Sequence, residues 1–100
     1  MKDITPTELK QLKDNQTDFE LIDVREEYEF DEANINGKLI PLGEIIQRAS
    51  EIPKDKQVVV HCRSGKRSET AIKALEQHFG YTNLYNLQGG IIAYMNEFGS

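Results

Sequence analysis

The stretch Val58-Val59-Val60-His61-Cys62-Arg63-Ser64-Gly65-Lys66-Arg67-Ser68 decides the fold. Three β-branched residues in a row predict a buried strand. The polar, glycine-containing segment after them runs directly into Ala71, Ile72, Leu75 and Phe79, which recur at helical spacing. Strand, short loop and helix therefore follow one another, and the loop carries the only cysteine of the chain. A sulfur delivered to that position faces the free backbone N–H groups of a helix start, which bind anions. Arg63, Lys66 and Arg67 add positive charge, so loop and helix end together favour a thiolate over a thiol.

A lone cysteine is more commonly a small buried hydrophobe than a reacting group. Packing needs apolar company, however, and three cations in the five residues after Cys62 are expensive to desolvate unless something anionic sits among them. Cys62 is therefore read as a nucleophile. His61 adjoins it, but consecutive strand residues project to opposite faces, which points the imidazole away from the sulfur. His61 is read as a packed core residue beneath a covering helix rather than as half of a Cys-His dyad.

Moving outward, Thr5-Pro6-Thr7-Glu8 is a capping box with proline at the first helical position. The helix it opens fades at Asp14-Asn15. Phe19 to Val24 reads as a strand, because Leu21, Ile22 and Val24 crowd together without helical spacing. Arg25 to Glu32 is predicted as an acidic helix whose five carboxylates face water. Leu39-Ile40 fits a short strand, and Leu42, Ile45, Ile46 and Ala49 predict a helix stopped by Pro53. Gly80 closes the helix that follows the cysteine loop, with His78 suited to its carboxyl end. Asn83 to Leu87 is the last strand. Gly89-Gly90 is read as a tight turn with no ligand role, leading to a final helix that holds Ile92, Met95 and Phe98. Strands alternating with helices predict an α/β fold, a parallel sheet with helices on both faces, in one domain over residues 1–100. Ligands in such folds sit beyond the carboxyl ends of the strands, where Cys62 falls.

Composition narrows the function classes. A net charge of −5 argues against nucleic acid or an anionic membrane as partner, so the basic loop is a local feature suited to a small anion. No apolar run approaches the ~20 residues of a membrane span, and Met1-Lys2-Asp3-Ile4-Thr5 has no apolar signal region, which gives the cytoplasm as the expected location. One cysteine makes no internal disulfide, and one cysteine with two histidines assembles no zinc site.

Four segments, in order, resemble the rhodanese family of sulfurtransferases: Leu21 to Glu26, Ile40-Pro41-Leu42, Val58 to Gly65, and Asn83 to Ile91. Three departures are visible, one of them that the segment from Ile35 to Pro41 looks one residue short. Ala33-Asn34-Ile35 stands where Gly-His-Ile is common in the family, and Tyr94 stands where tryptophan is usual. The resemblance implies a rhodanese-like fold and a catalytic Cys62, with Arg63, Ser64, Gly65, Lys66, Arg67 and Ser68 as the substrate loop. It places Asp23 and Arg25 beside that loop as supporting residues, whereas their residue types alone suggest a structural ion pair. The spacing Cys62 to Arg67 is Cys-x4-Arg, one residue shorter than the Cys-x5-Arg loop of the phosphatases that share this architecture, and a tighter loop favours sulfur over phosphate.

The implied chemistry is two-step nucleophilic transfer with no metal or organic cofactor. Cys62 takes the outer sulfur of a small anionic donor such as thiosulfate, sulfite leaves, and the persulfide passes its sulfur to cyanide or to a thiol, a small one or that of a thioredoxin-like protein. Arg67 is expected to outweigh Lys66, because its planar fork can hold two sulfonate oxygens. A persulfide carrier acting with specific protein partners and a phosphatase or arsenate reductase are the alternative readings.

Overall fold

The computed structural model describes residues 1–99; Ser100, the last residue of the single-domain reading, lies outside them. The β-branched run becomes β4 (Gln57–His61), and its fully buried valines place it in the middle of the sheet. The remaining strands are β1 (Lys2–Ile4), β2 (Phe19–Asp23), β3 (Lys38–Leu39) and β5 (Leu84–Leu87). Every pairing is parallel, in the order β1-β5-β4-β2-β3. The expected parallel α/β sheet is present.

Period-two alternation sends the two sides of each strand to two cores. Ile22, Val58, Val60, Cys62 and Leu84 share one with Ala71, Ile72 and Leu75 of α3 (Lys66–Phe79). Leu21, Val59 and Leu87 share the other with Leu9 of α1 (Pro6–Asp14) and with Ile91 and Tyr94 of α4 (Gly90–Phe98). Thr5 forms the expected capping box with Glu8. The short acidic helix α2 (Glu27–Glu32) follows β2 and borders the cysteine loop through Glu29.

The structure overturns one expectation, the helix over 42–52, and adds two details that the sequence reading did not give. β1 is an edge strand of three residues with only Ile4 buried, too short to leave a periodic signal. The helix expected over Leu42–Ile52 is instead two 3₁₀ turns, Leu42–Glu44 and Ala49–Glu51. Its apolar spacing is met only in part: Ile45 and Ala49 are buried and Leu42 packs half-buried against them, but Ile46 is exposed. Gly43 weakens an α-helix there, and the Tyr81 hydroxyl reaches the carbonyl oxygens of Ala49 and Ile52 at 2.7 Å, satisfying the segment's end without another helical turn. In α4 the buried pair is Ile91 and Tyr94, while Ile92 is 39% exposed. Tyr94, at the family's usual tryptophan position, is a core residue.

Among the described residues no helix is long and apolar enough to cross a membrane, and no group of three or more His, Cys, Asp and Glu side chains could hold a metal ion.

Candidate active site

Cys62 is the first residue past β4, at the carboxyl end of a central strand. It is only 1% exposed and joins the apolar cluster of Val58, Val60, Ala71 and Ile72, as a merely packed cysteine would. What distinguishes it is the other side of the sulfur. The Gly65 N–H donates to Sγ at 3.1 Å, and the Ser68 hydroxyl lies 3.5 Å away. Burial opposes ionisation most strongly, but the Ser68 hydroxyl and the amides of Ser68, Gly65 and Ser64 outweigh it together and hold the thiol below its ordinary value. The groups in contact with the sulfur are thus neutral donors rather than the loop cations that the sequence pointed to.

Gly65 makes this geometry possible. At φ +112° it occupies a region closed to most side chains, turns the chain into α3 and aims its N–H at the sulfur. Ser64 is exposed apart from its amide, and Ser68 is fully buried in the first turn of α3.

The three cations separate. Both Nη atoms of Arg67 bind Glu29, at 2.7 and 2.9 Å, so its fork is already occupied. The Arg67 guanidinium brings the Glu29 carboxyl down to about 2, from 4.5. That pair supports the fold fully above about pH 4.5 and ceases to do so as the pH falls toward 2. Glu29 came from the acidic stretch expected simply to face water. Arg63 and Lys66 are exposed, and no ion pair of the described residues includes them.

Asp23 and Arg25 lie behind the loop and form the ion pair their residue types suggest. Arg25 Nη2 is 2.8 Å from Asp23 Oδ2, and Nε is 3.0 Å from Oδ1, both side chains being buried. Arg25 also donates to the carbonyls of Glu29 and Ala33, tying the middle and the carboxyl end of α2 to the end of β2. Asn34, at the family's usual histidine position, donates to the Phe30 carbonyl and accepts from the Asn36 amide, so here it closes the helix end. His61 is fully buried on the opposite sheet face from Cys62, with Nε2 3.6 Å from Asp23 Oδ2. Burial lowers its pKa and keeps it neutral, which agrees with the packed reading.

The Gly89-Gly90 turn does more than reverse the chain. The amides of Ile91 and Ile92 donate to the carbonyls of Cys62 and Arg63, at 2.9 and 3.2 Å, so α4 holds the cysteine loop by its backbone. Gly90, at φ +63°, permits that approach: a Cβ there would overlap the Arg63 carbonyl and lie 2.7 Å from the Ser64 nitrogen. Gly90→Ala is therefore expected to cost roughly 2–5 kcal/mol from backbone strain and overpacking. Urea titration measures it, with Gly43→Ala, which meets nothing within 4 Å, as the near-neutral control.

A buried sulfur ringed by amide donors, at the carboxyl end of a parallel sheet and the amino end of a helix, defines a cysteine-loop α/β domain. A family model for the rhodanese-like domain matches residues 5–97. A sulfurtransferase of Allochromatium vinosum is 41% identical over 94% of this chain and 88% of its own length. The probable adenylyltransferase/sulfurtransferase MoeZ of Mycobacterium tuberculosis is 36% identical over 94% of the chain, which spans only 24% of that larger protein. The crystal structure of a rhodanese-like domain protein from Staphylococcus aureus superposes with a TM-score of 0.86 at 32% identity, covering 94% of this chain and 91% of that one. The chain belongs to the rhodanese-like domain family.

Proposed function

We propose that the protein is a sulfurtransferase that carries sulfane sulfur on Cys62, taking it from a small anionic donor such as thiosulfate. The observation that carries this reading is the ring of donors around Sγ: the Gly65 amide at 3.1 Å with the Ser64 and Ser68 amides and the Ser68 hydroxyl. Such a ring stabilises a thiolate and, after transfer, the anionic end of a persulfide.

The Cys62 thiolate attacks the outer sulfur of thiosulfate. The donor S–S bond breaks, its electron pair leaves with sulfite, and Cys62 retains the sulfur as a persulfide. An acceptor thiolate then attacks that sulfur, and the Cys62 thiolate departs; cyanide in the same role yields thiocyanate. Arg63 and Lys66 draw the donor in, while Arg67, held by Glu29, shapes the loop wall. A cleft of about 300 Å³ bordered by Tyr28, Glu32, Arg63 and Ile92 lies beside the start of the loop, and the acceptor, a small thiol or a thioredoxin-like protein, would approach from that side. Such chemistry suits the reducing cytoplasm.

Intact-protein mass spectrometry after thiosulfate treatment tests the reading. A single-sulfur mass gain, confined to Cys62 and removed by a thiol, is expected. Lys66→Ala should raise KM for thiosulfate about twofold to fivefold with little change in kcat, as an exposed charge contact would. Absence of any sulfur adduct refutes the thiosulfate reading. Relay between proteins is the second reading, favoured by the match to a quarter-length segment of MoeZ. It is preferred if a protein persulfide loads Cys62 and thiosulfate does not.

A further inference from the structure

Asn86 sits on β5 in register with Val60 of β4. It shares its strand face with Leu84, which packs in the α3 core, so alternation puts a polar amide where an apolar side chain belongs. It is 8% exposed, and a buried amide is costly unless bonded. Its bonds run to the cysteine loop: Nδ2 donates to the Gly65 carbonyl at 3.2 Å, and Oδ1 accepts from the Ser68 hydroxyl at 2.5 Å. The opposite amide orientation would set two oxygens face to face at Gly65.

The Ser68 hydroxyl has one proton and three acceptors within reach: Asn86 Oδ1 at 2.5 Å, the Gly65 carbonyl at 3.0 Å and Cys62 Sγ at 3.5 Å. The shortest contact draws the proton to Asn86. The hydroxyl lone pairs then face the sulfur and can accept from its S–H, giving a continuous chain from S–H to O–H to the amide oxygen. An ionised sulfur needs the opposite arrangement, in which the hydroxyl proton turns to Sγ and leaves its oxygen facing Asn86 Oδ1.

We propose that Asn86 is a positioning residue that governs, through Ser68, where the hydroxyl proton beside Cys62 points: to the amide oxygen while the sulfur is protonated, and to the sulfur once it is ionised. Asn86 thereby restrains ionisation that the backbone amides promote, and that the Ser68 hydroxyl promotes only once its proton has turned to the sulfur. Charged and titratable groups around the sulfur come from the loop and α3 (Arg63, Lys66, Arg67), from α2 (Glu29, paired with Arg67), from the end of β2 and the residues just after it (Asp23, Arg25), and from β4 (the neutral His61). An apolar substitution at Asn86 removes the proton's competing partner and leaves those charges in place, whereas Asn86→Asp adds a negative charge that raises the midpoint in the same direction as the stronger acceptor. The inference rests on Cys62 being the reacting sulfur, but not on the identity of any donor.

Thiolate absorbance titrated against pH, with Cys62→Ser as the blank, tests it without a sulfur substrate. Asn86→Leu removes the competing acceptor and should move the Cys62 midpoint down by about one pH unit, the scale of one hydrogen bond to a charged group. Asn86→Asp strengthens the acceptor and should move it up. In a Ser68→Ala background the Asn86→Leu shift should vanish. Asn86→Val carries the same expectation as Asn86→Leu, so a folding defect in one variant leaves the other to decide. A purely structural Asn86 would loosen the loop in both the Leu and Asp variants and raise the midpoint in both; that result, or a Leu shift that persists without Ser68, overturns the proposal. Failure of thiosulfate turnover with these shifts intact would count against the proposed donor alone.

Discussion

Cys62→Ser is expected to abolish sulfur transfer, by at least ~10³-fold, while the circular dichroism spectrum stays that of the parent. Loss of a covalent nucleophile acts on that scale or above it. The hydroxyl is a poor nucleophile at its free pKa, although it fits the same space. The variant keeps the valines, α3 contacts and backbone bonds that define the site, so lost activity with an intact spectrum isolates the sulfur. The pH profile belongs to the same test. Because the Cys62 pKa is lowered, its alkylation and sulfur uptake should be level above the depressed midpoint and fall as the pH drops through it. Stability follows the same sign: the parent gains on the serine variant as pH rises from that midpoint toward the ordinary thiol range. Activity that survives in the serine variant sinks the persulfide mechanism.

Arg25→Ala should be the most destabilising single change outside the core, at about 3–5 kcal/mol. It strands the fully buried Asp23 carboxylate, whose remaining side-chain neighbour is a neutral His61 at 3.6 Å. It also frees the Glu29 and Ala33 carbonyls that Arg25 ties to β2. Asp23→Leu combined with Arg25→Met should cost less than Arg25→Ala alone, because no unpaired charge is left inside. Chemical denaturation of the three proteins decides this. Near-neutral behaviour of Arg25→Ala would show that water or rearrangement satisfies Asp23.

What the sequence made legible was local. The capping box of Thr5, the valines of β4 and the apolar spacing of α3 each write their structure within a few residues. The site was legible where it is contiguous, from Cys62 to Ser68. It was not legible where the chain meets itself. Glu29 lies 38 residues from Arg67, inside a run of carboxylates that nothing local distinguishes. Asn86 left one trace, an amide at an apolar position of a strand, yet its meaning depends on β5 lying next to β4. The loop-gripping role of Gly90 was invisible for the same reason: a turn glycine and a glycine pressed against another backbone look alike in one dimension. Segment 42–52 failed differently, since helical spacing of apolar residues is shared by tighter turns.

Under the proposed function, the deep seat of Cys62 bears on how other molecules would tell a loaded copy from an empty one. A residue with 1% of its surface exposed is nearly invisible to a passing protein. An added sulfur extends the side chain by about 2 Å, the length of an S–S bond, and carries the reactive atom toward the mouth of the loop. A loaded copy would then differ from an empty one by reach. An acceptor at the rim would meet nothing to react with when the site is empty and a protruding electrophile when it is full. The same burial would shield the unloaded thiol from bulky oxidants and from mixed disulfides with other proteins.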